Sequence, residues 1–146
     1  MPLRCQPEEI AAALDAWRED RSGLVFVADD TTGDDWSEVS AELTEAFRLT
    51  KKSLTAMRPV VFVVHNDDLL GRNGPGRAMV ATGLLSAART AALEHRKAGV
   101  AVNVIAREEG TNPRWLARWC GLLMEGTDPT GQLIHLGSGH LGKALP

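Results

Sequence analysis

The sequence predicts an α/β fold: a truncated, Rossmann-like three-layer sandwich with a parallel sheet of about four strands. Three observations carry this reading. The runs "GLVFVA" at 23–28, "PVVFVV" at 59–64, "VAVNVIA" at 100–106 and "GQLIHL" at 131–136 are short and largely apolar, as strands buried on both faces must be. Helical periodicity fills the stretches between them. Helix and strand alternate four times, the signature of helices layered over a parallel sheet. The 146 residues suit one domain spanning 1–146, long enough to bury roughly 68–70% of the unfolded surface.

The elements follow in order. Pro7-Glu8-Glu9 opens a helix to about Arg18, with proline at the first helical position and acids at the positive end of the dipole. The strand at 23–28 comes next. Asp35 and Glu38 form a cap-like pair ahead of a long helix carrying Val39, Leu43, Phe47, Leu54 and Met57 on one stripe. The strand at 59–64 leads into a polar, Gly-rich loop, "HNDDLLGRNGPG". A helix runs from about Arg77 to Lys97, then the strand at 100–106. Asn112-Pro113 caps a fourth helix through Met124, and 131–136 closes the sheet. The crossovers are expected to be right-handed. The apolar edge Val25–Val27 needs cover, from residues 1–6, a partner segment or a second copy.

Charge and composition exclude several classes. A net charge of −3 and a pI near 5.8 argue against nucleic acid, which requires a basic stripe. No apolar run reaches membrane-spanning length, and "MPLRCQPEEI" has no apolar signal region. Cys5 and Cys120 make no disulfide framework or metal spacing and read as free thiols. A cytoplasmic protein is expected.

Order and motifs resemble the short-chain dehydrogenase/reductase family, nearest its 3-oxoacyl-thioester reductase branch. "DDWSEVSAELTEAFRLTKKSLTAM" is similar to that family's long interface helix. "PVVFVV" is similar to the strand ending in its catalytic serine, and "LLSAARTAALEHRKAGVAVNVIA" to its active-site helix and following strand. "GTDPTGQLIHLGSGHL" is similar to its closing strand and tail. The resemblance implies a nicotinamide-dependent oxidoreductase, but the residues depart from that pattern. Counting from "RTAALE", the family's tyrosine position falls on Arg77 and its lysine on Ala81. The serine falls at about Val64 and the helix asparagine on Glu42. Arg107-Glu108 stands where Pro-Gly would face the nicotinamide, and "VFVADD" replaces an Asn-Asn-Ala-Gly loop. The chain contains no tyrosine at all. The N-terminal β-α-β-α-β unit with its Gly-rich turn is expected to be missing, so no catalytic, cofactor-binding or metal residue is assigned and no cofactor is expected.

Four motifs are weighed separately. "GSGHLG" at 137–142 matches G-x-G-x-x-G, but no helix can follow it to aim N–H groups at phosphate; it reads as a tail or interface loop. "GRNGPGRAM" at 71–79 precedes a helix and carries Arg72 and Arg77, a place for an anion or an acyl carrier. The reading beside it is a loop with solvated arginines. His65, Asp67 and Asp68 cluster at a strand's C-terminal end, where open α/β sheets place their sites, so rebuilt non-redox chemistry is an alternative. His135 and His140 with these acids show no recognised metal spacing.

The helix at 77–97 is rich in small residues: Ala78, Ala81, Gly83, Ala87, Ala88, Ala91 and Ala92. In the resembled family this helix and the long one before it form the main dimer interface. The expectation is therefore a non-catalytic partner or scaffold subunit of a hetero-oligomer, supporting a full-length active reductase, with self-association as the weaker form. The alternatives are the rebuilt enzyme and a small-ligand or acyl-carrier binding module.

Overall fold

The computed structural model describes residues 3–4, 8–16 and 23–138. In chain order the elements are β1 (Leu3–Arg4), α1 (Glu8–Ala16), β2 (Leu24–Val27), α2 (Trp36–Thr55), β3 (Val60–His65), α3 (Asn66–Leu69), α4 (Pro75–His95), β4 (Val102–Arg107), α5 (Pro113–Glu125) and β5 (Leu133–Leu136). The strands form one parallel sheet in the order β1-β2-β3-β4-β5. The three-layer α/β expectation holds. The four expected strands are present, and β1 adds a fifth, two-residue strand at the edge.

Alternation along each strand divides the core into two layers. Leu24, Phe26, Val60, Phe62, Val64, Val102 and Val104 pack under α2 and α4. Val25, Val27, Val61, Val63 and Ile105 pack under α1 and α5, against Ile10, Leu14 and Leu116. Each of these side chains contributes about 1.5–3 kcal/mol by leaving water, and Phe26 and Phe62 meet edge to face with centroids 6.2 Å apart.

This division overturns one expectation. The strand order advances in a single direction, so crossovers on opposite faces have opposite hands. The helices α2 and α4 lie on one face, α5 on the other. A uniformly right-handed set of crossovers is therefore excluded. The physical reason is burial: without α5 on the second face, Val61, Val63 and Ile105 would meet water.

Cover for the apolar edge of β2 comes from within residues 1–6, one of the sources expected. Leu3 pairs with Val25 and Arg4 with Phe26, so a minimal strand–helix unit does precede β2 and covers its edge. Its connection, Cys5-Gln6-Pro7, contains no glycine, and those three residues lie outside the described ones.

Local signals set the helix ends. Asp35 accepts from Ser37 N at 3.3 Å and caps α2. Glu38 does not return to the cap; its carboxylate takes Gly33 N at 2.6 Å instead. Helix α4 starts at Pro75, two residues before the expected Arg77, because proline suits the first turn. After the 3₁₀ turn Arg96–Ala98, Gly99 takes a left-handed φ of 69° and stops the chain. On α2, Val39 and Leu54 are buried as expected, whereas Phe47 stands exposed, and Met57 is exposed in the turn after the helix end.

Asn103, in the middle of β4, is fully buried. Its Nδ2 donates to Pro129 O at 2.7 Å and its Oδ1 accepts from Gln132 N at 3.1 Å. The residue thus clamps the loop that delivers β5. Asn103→Ala should destabilise the chain by about 1–3 kcal/mol, since Pro129 O and Gln132 N lose their partner and the loop before β5 loses its clamp; the midpoint of urea unfolding measures this. Deleting residues 1–4 should leave helix content intact and raise self-association, read by light scattering, because the β2 edge loses its cover.

Candidate functional site

The C-terminal ends of β2, β3 and β4 deliver Asp29-Asp30, His65 and Arg107-Glu108-Glu109 to one edge of the sheet. The first turn of α4 adds Arg77. Arg77, Asp68, Asp30, Arg107 and Asn73 form one connected network. Arg77 Nη2 donates to Asp68 Oδ2 at 3.1 Å and Nη1 to Asp30 O at 2.8 Å. Arg77 Nε lies 2.9 Å from Asp68 Oδ1, but off the N–H direction, so that contact is coulombic only. Arg107 Nη2 donates to Asp30 Oδ2 at 2.7 Å, and Asn73 Nδ2 donates to Asp68 Oδ1 at 2.7 Å. Two guanidinium groups meet two carboxylates, and Asp68 and Arg107 are buried. Charges so placed persist only when paired.

Each position singled out from the sequence can now be placed. Arg77, at the tyrosine position, is tied into the network. Ala81 and Val64, at the lysine and serine positions, are buried in the apolar core. Glu42, at the asparagine position, is buried and accepts Asp29 N at 3.0 Å. No two of these converge on a reacting atom.

The alternative cluster is likewise divided among separate partners. His65 Nδ1 accepts Asp67 N at 3.3 Å and caps α3. The hydrogen therefore sits on Nε2, which donates to Glu109 Oε2 at 3.2 Å. Both ring nitrogens are thus engaged. Asp67 pairs with Arg72 at 3.0 Å, and Asp68 with Arg77. His135 faces Glu108 across 3.4 Å, while His140 lies outside the described residues. Among the described residues, no three His, Cys, Asp or Glu side chains gather as a metal site.

The anion slot at the start of α4 is also filled. Asp34 Oδ1 accepts Gly76 N at 2.8 Å, so the chain's own carboxylate occupies the positive end of the helix. Gly76 is required here, because a Cβ would collide with the Gly33 carbonyl. Of "GSGHLG", only Gly137 and Ser138 are described; Ser138 N donates to Glu108 Oε2 at 3.2 Å. Cys120 is buried, and Cys5 lies outside the described residues.

Asp30, Asp34 and Glu109 were not singled out from the sequence. Asp30 is 47 residues from Arg77 and 77 from Arg107. The only local signal was a pair of acids directly after an apolar strand.

A second feature lies on the opposite side of α2 and α4 from the sheet. A groove of about 690 Å³ runs between them, floored by Phe62 and lined by Leu43, Phe47, Thr50, Gly83 and Ala87. Phe47 is 69% exposed beside it.

No family model and no curated protein matches the chain. Solved structures do. An oxidoreductase of the short-chain dehydrogenase/reductase family from Burkholderia thailandensis matches with TM-score 0.62 and 16% identity, over 87% of this chain and 67% of that one. A chain assigned to the same family from Burkholderia xenovorans gives 0.65 and 18%, over 93% and 72%. The 3-hydroxyacyl-CoA dehydrogenase type-2 of Mycobacterium avium gives 0.64 and 15%, over 87% and 70%. The chain has a short-chain dehydrogenase/reductase-like fold. It spans 64–72% of the length of these structures and of levodione reductase. At this identity the likeness is one of fold, and the edge where that fold carries its site is here closed by ion pairs.

Arg77→Ala should destabilise the chain by about 2–4 kcal/mol, since it strands the Asp68 carboxylate in the interior. Adding Asp68→Asn should recover a large part of the loss. Urea unfolding of the two variants makes the comparison.

Proposed function

We propose that the chain is a non-catalytic subunit that supports a full-length, active short-chain reductase by docking through its α2–α4 face. The observation that carries this reading is the contrast between two surfaces. At the sheet edge every ionised group of the Arg77 network already has its partner. Between α2 and α4, an apolar groove reaches down to the sheet with Phe47 exposed at its side. Exposed apolar surface of this kind is the mark of an interaction site, whereas charges neutralised among themselves have little left for a substrate.

The burial of α4 decides how the reading is tested. Ala88 packs in the chain's own core, so a charge there would unfold the protein; Ala91 is buried but also lines the groove. Ala87 and Phe47 line the groove. Phe47→Glu and Ala87→Glu should weaken association with the reductase co-purified from the native host at least a hundredfold, about 2.7 kcal/mol. Melting of the isolated chain should hardly move, because both positions are exposed. Sedimentation of the mixed proteins measures the first effect. A parent chain that stays a monomer when mixed with that reductase would remove the proposal.

The same reading predicts no dinucleotide site in the isolated chain. Titration calorimetry with NAD(H) and NADP(H) should give no heat of binding, and a micromolar dissociation constant would overturn it.

A further inference from the structure

Helix α5 is apolar on two sides. Its inner side, with Leu116, Ala117, Cys120 and Leu123, is buried. Its outer side carries Trp115, Trp119 and Leu122 at one-turn spacing, and Trp115 and Leu122 are each 50% exposed. The indoles of Trp115 and Trp119 meet edge to face with centroids 6.4 Å apart. Between them and the end of β5 opens a cleft of about 360 Å³, with Thr111, His135 and Ser138 on its far wall.

Two arginines flank this ridge, and Glu9 shares a separate hollow with Arg114. Arg118 lies 5.6 Å from the centre of the Trp115 ring, and Arg114 is exposed one turn earlier. Among the described residues neither guanidinium has a carboxylate partner, unlike Arg72, Arg77 and Arg107. The nearby Glu108 is engaged by His135 and by Ser138 N. Glu125 stands beyond Leu122 at the far end of the helix.

We propose that the outer face of α5 docks an acidic segment of a partner protein, which seats one apolar side chain in the Trp115–Trp119 cleft and sets its carboxylates against Arg114 and Arg118. Exposed tryptophan and unpaired arginine are the side chains that dominate binding at protein interfaces. A guanidinium stacked on an indole still presents its N–H groups to a carboxylate. The charge pattern selects this occupant over a second copy of the chain. A two-fold contact through this face would bring the paired arginines of one copy against those of the other, and like charges in contact are rejected. The surface lies on the opposite side of the sheet from the α2–α4 groove, so the proposal stands apart from the one above.

The test uses the full chain and a short fluorescein-labelled peptide in which glutamate alternates with leucine, beside its lysine–leucine counterpart. Anisotropy should show the acidic peptide binding at least tenfold more tightly than the basic one, with an affinity that falls as salt rises. Trp115→Ala and the double variant Arg114→Glu/Arg118→Glu should each weaken binding at least tenfold. Because all three side chains are exposed, melting should stay at the parent value, and the charge-reversed variant carries the test if Trp115→Ala loses stability. Equal binding of the two peptides, an unchanged affinity in the charge-reversed variant, or no binding at millimolar peptide would each overturn the proposal. So would sedimentation showing that these substitutions dissociate a dimer of the chain itself, which would make the second copy the occupant.

Discussion

A parallel sheet covered on both faces offers no water to a polar side chain, and most of what is particular to this molecule follows from that constraint. All six residues of β3 and all six of β4 are buried. Three of them are polar, and each is matched by a specific partner. His65 is held between Glu109 and the first turn of α3, Asn103 clamps the loop before β5, and Arg107 reaches Asp30. The apolar residues supply the driving force for the layers. The polar ones determine how the loops at the sheet's ends are tied down, because an unmatched group there would cost more than the matched one contributes.

The same constraint shapes the sheet edge at which open α/β folds usually do their chemistry. Catalysis there needs groups held ready for a substrate. Here Arg77, Asp68, Asp30 and Arg107 satisfy one another, and Asp34 fills the positive end of α4. The arrangement is self-sufficient, and its energetic role is to close the end of the sheet. The unsatisfied surfaces lie elsewhere, on the outer sides of the helices: the groove between α2 and α4, and the tryptophan ridge of α5. Both are apolar, both are on long helices, and they face away from each other.

The fold was legible because burial leaves a strong record in sequence. Four strands are short, largely apolar runs, too short for a helix reading to compete. The two-residue β1 left no such record, since Leu3-Arg4 has neither length nor pattern. Capping was half legible: Asp35 does cap α2, but Glu38 turns to Gly33, which a short side-chain reach decides locally. On α4, the small residues read as an interface; the structure divides them, with Ala88 in the core and Ala87 and Ala91 lining the groove. A helix whose faces are all small and weakly polar carries no periodic signal for its orientation.

By itself the sequence determined the layers, the strand ends at which polar residues would gather, and the absence of tyrosine from the chain. These follow from composition and short-range pattern, in which each residue's hydrophobicity and backbone preference act over one or two turns of chain. Only the tertiary structure decided that the arginine at the tyrosine position is neutralised by Asp68 and Asp30, that α5 crosses on the second face, and that Phe47 and Trp115 are left outside. Those outcomes depend on which side chains meet across 47 or 77 residues of chain. Contact at that separation is set by how helices pack on a finished sheet, and no local stretch of sequence encodes it.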